Sequence, residues 1–174
     1  MKKQIYLLLL LSSIFQLSSA QPINSIKIGN QVWMLSNLNK EVPGSWNYND
    51  DPSLGKKYGR LYTYEAAKNV CPAGWSLPTV KDWDELLSKL GGEDKAAPRL
   101  LKSSNEGGFN AKLAGLATVG NYQLLENYGA YWTATENDKT NAWFLYFSPK
   151  SNIVTSTFSV KTHGLSVRCI KKNE

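Results

Sequence analysis

The run Cys71 to Gly92, CPAGWSLPTVKDWDELLSKLGG, sets three carboxylates, Asp82, Asp84 and Glu85, around Trp83. Paired acids beside an aromatic ring are the equipment of acid–base hydrolysis when they project together into a cleft. Two further acidic runs lie elsewhere: NYNDD at Asn47 to Asp51, and END at Glu136 to Asp138 with Asn141 close behind. A hydrolase built on such loops would work through Asp50, Asp51, Glu136 or Asp138. The same oxygen-rich runs are the kind that hold calcium, which takes six to eight oxygen ligands. Neither run matches a defined calcium loop. No cofactor and no metal site is therefore expected, weakly bound calcium being left open. His163, the single histidine, has no nucleophile or ligand partner near it in sequence and reads as a surface residue.

The elements that position these groups point to scaffold. Thr79 with Asp82 three residues on forms a helix-capping pattern, and Trp83, Leu86, Leu87 and Leu90 fall on one helical face. Asp82, Asp84 and Glu85 then occupy the first turn, where negative charge suits the helix dipole. Trp83 points to the core rather than to a cleft, and Gly91-Gly92 supplies the left-handed exit. Ahead of this helix, Arg60 to Val70 sets Leu61, Tyr64, Ala67 and Cys71 at helical spacing until Pro72 stops it.

The remaining chain predicts strands and loops. Alternation at Ser25–Ile28 and Gln31–Met34 about Gly29-Asn30 predicts a hairpin. Asn37 to Gly59 shows no period and reads as a long loop carrying Trp46, Tyr48 and Tyr58; Glu93 to Asn110 reads as an irregular excursion with one short turn near Pro98 to Lys102. A strand starts within Asn110 to Val119. Four aromatic or β-branched runs follow, Tyr131–Thr135, Ala142–Phe147, Ile153–Phe158 and Leu165–Ile170, with brief turns between them, which predicts an antiparallel meander. Two helices and such a sheet make an α+β domain.

The first twenty residues, MKKQIYLLLLLSSIFQLSSA, have two lysines, a short apolar run and a small-residue end, the pattern of a secretory signal peptide. Residues 21–174 are left as one domain. No cysteine follows the expected cleavage point, so the reading is an exported protein, secreted or periplasmic, not lipid-anchored, with no membrane insertion after signal removal. Lysines and arginines number 20 against 14 acids and are scattered, without the clustered stripe that a nucleic-acid partner needs. Cys71 and Cys169 are the two cysteines; in an oxidising compartment an even number pairs, so one disulfide is expected, stapling a helix to the last strand.

Six segments together resemble one family: IGNQVWMLSNLN at Ile28–Asn39, YGRLYTYEAAKNVCPAGWSLPTVKDWDELLSKLGG at Tyr58–Gly92, GFNAKLAG at Gly108–Gly115, YWTATE at Tyr131–Glu136, AWFLYF at Ala142–Phe147 and GLSVRCIK at Gly164–Lys171. In that order they resemble the Fibrobacter succinogenes major paralogous domain of exported Bacteroidetes and Fibrobacter proteins. The resemblance implies a C-type-lectin-like fold with a helix joined by a disulfide to the terminal strand. The segment LPT-x-x-x-W-x-x-L is also similar to LPTEAEWE of formylglycine-generating enzymes. That activity is not carried over, because those enzymes use a reactive cysteine pair in their C-terminal part and this chain has Cys169 alone there. The Glu-Pro-Asn, Gln-Pro-Asp and Trp-Asn-Asp signatures of calcium-dependent lectins are likewise missing; Trp46-Asn47-Tyr48-Asn49-Asp50 is a near-match ahead of the first expected helix.

Six tryptophans and nine tyrosines are many for this length. Trp75, Trp83, Trp132 and Trp143 adjoin apolar periods and are expected in the core. Trp46, Tyr48, Tyr122 and Tyr128 fall in irregular or glycine-bearing segments. With Asn49, Asp50, Glu136, Asn137, Asp138 and Asn141 they are the expected ligand-binding residues, since aromatic faces stack on sugar rings while amides and acids bind hydroxyls. The expected function is a non-enzymatic binding module for an extracellular or cell-surface ligand such as carbohydrate. The alternatives are a structural or protein-interaction component of the envelope and, behind it, a carboxylate hydrolase. Partners are then an extracellular glycan or an envelope protein.

Overall fold

The structure is a computed structural model that describes residues 22–103 and 108–171. The expected signal peptide lies outside the described residues. Two sheets carry the domain. The smaller has four strands in the order β1 (Ser25–Ile28), β2 (Gln31–Met34), β12 (Ile170–Lys171) and β5 (Trp75–Ser76). The larger has six, in the order β10 (Val154–Val160), β9 (Asn141–Phe147), β8 (Gly129–Glu136), β11 (Leu165–Ser166), β4 (Leu61–Tyr62) and β3 (Ser45–Trp46). A separate hairpin, β6 (Leu116–Thr118) and β7 (Asn121–Gln123), completes the β structure among the described residues.

The N-terminal hairpin forms as its alternation requires, with Ser25 opposite Met34. β8, β9 and β10 form the expected antiparallel meander. The last predicted strand is corrected. The run LSVRCI does not stay in one sheet, because β11 pairs parallel to β8 and antiparallel to β4, whereas β12 pairs with β2 and β5. Val167 to Cys169 is the crossing between the sheets. All three are buried, so an apolar run that looks like one strand is here the seam of the core.

Helix number is also corrected, from two to four among the described residues. α3 (Val80–Lys89) is the expected one: Thr79 Oγ1 accepts from the Asp82 N–H, and the Asp82 carboxylate accepts from the Thr79 N–H. Trp83, Leu86 and Leu87 are buried, and Gly91 takes a φ of +98° at the exit. The helix expected from Arg60 is shorter, because Leu61–Tyr62 pairs as β4 and only Tyr64–Val70 is helical, as α2, capped by Thr63. The expected loop at 37–59 contains α1 (Pro52–Tyr58), and the expected excursion after Glu93 contains α4 (Ala96–Leu101). α1 has no apolar stripe, but Asp51 caps it and Pro52 occupies its first turn, where a missing N–H costs nothing.

Cys71 follows α2 and is bonded to Cys169, with Cα atoms 6.0 Å apart. Cys169 precedes β12 rather than lying within it, so the bridge ties the end of α2 to the crossing segment. One core cluster sits between the small sheet and α3 and α4, around Trp33, Trp83 and Phe109; a second lies around Tyr62, Tyr64 and Trp132. Trp143 is corrected out of the core. It is half-buried and packs its ring against exposed Phe158, its partner on the edge strand β10, with centroids 6.1 Å apart. Trp75 is half-buried at the margin of the second cluster.

Candidate functional site

A cleft of about 490 Å³ opens where the β6–β7 hairpin leans against β3 and the turn after β10. Trp46 comes from the end of β3, held by Arg60, which donates to the Ser45 carbonyl and hydroxyl at 3.1 Å each and to Asn47 Oδ1 at 3.2 Å. The opposite wall is the hairpin, with Tyr122 and Asn121 on β7 and Thr118 on β6. Thr162 and Gly164 close the third side. Gly164 exchanges two backbone hydrogen bonds with Ala117, at 2.8 and 2.9 Å, which docks the hairpin on the large sheet. A Cβ at Gly164 would come within 3.1 Å of both the Trp46 ring and the Ala117 side chain. The absence of a side chain there is what lets the three walls meet. Gly115, at the hairpin's root, has a φ of +64° and would place a Cβ 2.2 Å from the Gln123 carbonyl, so only glycine fits.

Asp50 reaches the cleft through an unusual backbone. Asn49 and Asp50 follow one another with φ of +51° and +55°, a left-handed conformation that Asn and Asp adopt more readily than other side chains. The Tyr122 hydroxyl donates to Asp50 Oδ1 at 2.8 Å. Burial, and then the neighbouring carboxylate, push the Tyr122 hydroxyl above the ordinary phenol value, so it remains a donor. One carboxylate oxygen is thereby engaged, on a residue that is itself exposed.

The structure distributes the expected site residues among three places. Trp46, Asp50 and Tyr122 line the cleft. Tyr48 is corrected: it is buried, its ring 5.1 Å from Tyr122, and it supports the wall from behind instead of facing a ligand. Asn49 is exposed at the rim. Tyr128 lines a different, apolar cleft of about 290 Å³ with Leu116, Leu124, Phe144 and Tyr146.

Glu136, Asn137, Asp138 and Asn141 form the β8–β9 turn. Asp138 accepts from the Thr140 N–H at 2.7 Å and from the Asn141 amide at 2.9 Å, and Asn137 Nδ2 donates to it at 3.0 Å. These donors, with the Asn141 amide first, hold its carboxyl well below the usual carboxylate range. Glu136 pairs with Lys161 at 2.8 Å and with Lys68 at 3.6 Å. Its carboxyl is also held low, chiefly by Lys161. This turn therefore braces the chain next to Thr162, one side of the cleft, and its Asp138 and Glu136 carboxylates are already engaged.

Two of the acids weighed for catalysis cap helices, whereas Asp84 and Glu85 are corrected out of the first turn of α3, which starts at Val80 and holds Asp82 as its acid. Asp51 accepts from the Ser53 N–H at 2.8 Å as the cap of α1, and Asp82 completes the capping box. His163 is half-buried and shares a 2.8 Å hydrogen bond between its Nδ1 and Ser159 Oγ. Among the described residues no group of three or more His, Cys, Asp or Glu is placed to hold a metal ion, and no helix is long and apolar enough to cross a membrane. Sequence reasoning missed Thr118, Asn121, Thr162 and Gly164 as wall residues. The signal for the first two was the two-residue turn Val119-Gly120 between short runs, which marks a hairpin.

No curated protein and no solved structure matches the chain. Residues 26–171 match the Fibrobacter succinogenes major domain, spanning both sheets, all four helices and every wall of the cleft. The chain belongs to the Fibrobacter succinogenes major domain family.

Proposed function

We propose that the protein is an exported, non-enzymatic binding module of C-type-lectin-like fold, secreted or periplasmic, that takes a carbohydrate in the cleft between Trp46 and Tyr122. The observation that carries this reading is the pairing of two half-buried aromatic rings with polar groups in one cavity of about 490 Å³. Ligand pockets of this size join apolar walls to a few placed polar groups. Here the rings offer stacking faces, the carboxylate of exposed Asp50 accepts from hydroxyls, and Asn121, Thr118 and Thr162 supply further donors and acceptors. The Cys71–Cys169 bridge suits an oxidising compartment. A second reading, a protein-contact role in the envelope, is favoured by the separate apolar cleft at Tyr128 and Tyr146.

The test is a glycan array and polysaccharide pull-down with the oxidised chain, run with calcium and again with chelator. Binding that is lost in Trp46→Ala and Tyr122→Ala, with unchanged circular dichroism, supports the carbohydrate reading, and its survival in chelator shows that the cleft works without calcium. A blank from folded protein, or turnover of a polysaccharide, overturns it.

A further inference from the structure

The six-stranded sheet ends at β10, which pairs with β9 alone among the described strands. Its backbone parity is fixed by two bonds. The Lys161 N–H donates to the Thr140 carbonyl at 2.9 Å, continuing the ladder to β9, whereas the Val154 N–H leaves the ladder and donates to the Glu93 carbonyl at 3.0 Å. In an antiparallel pair such groups alternate. Thr155, Thr157 and Ser159 therefore bond to β9, and Ser156, Phe158 and Val160 turn their N–H and C=O outward. The outward row is covered only at its ends. Ala97 donates to the Asn152 carbonyl at 3.1 Å and Glu93 takes the Val154 N–H, while the Val160 carbonyl accepts from His163 at 2.9 Å. Between them, no described residue's backbone meets Ser156 or Phe158 from outside.

Sheets ordinarily guard an open edge with a charge, a proline, a bulge or a covering segment. The other edges here do so: β1 carries Lys27, and β3 and β5 are two residues long. β10 reads VTSTFSV, seven residues without charge, proline or glycine. Of the five exposed large hydrophobic residues among the described ones, Phe158 at 51% and Val160 at 42% lie on β10, and Ile153 at 52% immediately precedes it.

We propose that this edge is a self-association surface on which a second copy of the chain pairs, β10 against β10, antiparallel about Phe158. Only an extended strand supplies alternating donors and acceptors at this spacing, and a two-fold interface requires one patch to complement itself. β10 meets that requirement. Centred on Phe158, the pairing sets Ser156 opposite the partner's Val160, and the outward groups of Phe158 bond to those of its own copy. No charge lies between Ser151 and Val160, so the two strands approach without like-charge repulsion. Lys161, just beyond, is already paired with Glu136. The two six-stranded sheets would join into one.

The test is sedimentation equilibrium of the full chain from low micromolar to near-millimolar concentration. The expected result is a mass that rises from one copy to two. Ser156→Pro removes an outward N–H and leaves the ladder to β9 intact, since proline is tolerated where the N–H faces away from its sheet. Phe158→Lys places a charge against its own copy at the two-fold axis. Each is expected to weaken dimerisation at least tenfold with unchanged circular dichroism. A parent chain that stays monomeric throughout overturns the proposal, and so does a dimer that survives Phe158→Lys undiminished. If Ser156→Pro fails to fold, the parent's own mass and the Phe158→Lys result still decide.

Discussion

Arg168 donates twice to the side-chain oxygen of Asn37, from Nε at 3.1 Å and from Nη2 at 2.6 Å, in a part of the core where both residues are buried. Its other donors reach the carbonyls of Met34, Phe109 and Asn110, and its guanidinium lies 4.6 Å above the Phe109 ring. Among the described residues no carboxylate pairs with it. A neutral amide and three carbonyls solvate a fully buried cation, at the point where the chain crosses from one sheet to the other. Burial pulls the guanidinium below its ordinary value, though the group remains a cation in proteins.

This arrangement predicts strong coupling. Asn37→Leu leaves the cation short of an acceptor and is expected to cost about 1.5 to 3 kcal/mol, the range for hydrogen bonds to a charged group. Arg168→Leu strands several carbonyls and costs a comparable amount. The double variant should lose clearly less than the sum, because each change removes the other's partner. Urea unfolding of the four proteins measures the coupling, and simple additivity would show that the contact is incidental.

Cys71 and Cys169 are 98 residues apart in sequence, and their bridge joins the end of α2 to the same crossing segment. Closing so long a loop restricts the unfolded chain, which the chain-entropy model values at about 4 to 5 kcal/mol. Replacing both cysteines by alanine is expected to lower the unfolding free energy by about that much. The loss should match that caused by reductant in the parent. A double variant as stable as the oxidised parent would contradict it.

What the sequence made legible follows from where the information sits. The hairpin at Ser25–Met34, the Thr79–Asp82 cap and the β8–β10 meander are written in spacings of two to four residues, so they can be read locally. α1 is seven residues with Gly55 and Tyr58 as its buried contacts, too short for a period; the Asp51-Pro52 pair was its readable mark. Tyr48 looked like a loop aromatic because its partner Tyr122 belongs to a distant hairpin. Arg168 falls inside the run Leu165–Ile170 that predicted a plain strand, and nothing local says that Asn37 and the Phe109 and Asn110 carbonyls surround it. The cleft was half legible for the same reason: Trp46, Asp50 and Tyr122 have suggestive types, whereas Gly164 matters only through what a side chain would hit.

Asp138 gives a pH prediction with a definite sign. Its folded-state value is depressed from the ordinary 3.8 by the Asn141 and Thr140 donors. A depressed carboxylate contributes stability that is complete above the unfolded value and is lost as pH falls through the folded one. The β8–β9 turn should thus keep its amide protection below pH 3.8 and open only in stronger acid. Carboxyl carbon shifts followed through an acid titration measure this directly. A midpoint at the ordinary value would mean that the turn's hydrogen bonds are not formed in solution. Asp138→Ala should open the turn at neutral pH.

The space at Gly164 should control the cleft without any change to its ligand-facing groups. Gly164→Ala introduces a methyl 3.1 Å from the Trp46 ring and 3.1 Å from the Ala117 side chain. Both neighbours belong to cleft walls, and overpacking of this kind costs about 1 to 3 kcal/mol. The Ala117–Gly164 backbone bonds hold the hairpin from one side, and Arg60 holds Trp46 from the other. Relief of the clash therefore has to come from the Trp46 ring or from the hairpin. The expected result is a shifted Trp46 indole N–H resonance and exchange broadening at Thr118 to Tyr122, with the Trp33 and Trp83 signals unmoved. Binding of any polysaccharide found in the screen should fall along with it, while Ile153→Ser, exposed and away from the cleft, should leave it unchanged. If the Trp46 resonance and those of Thr118 to Tyr122 all stay in place, neither wall lies against the turn, and the cleft does not have the closed third side that a stacked sugar requires.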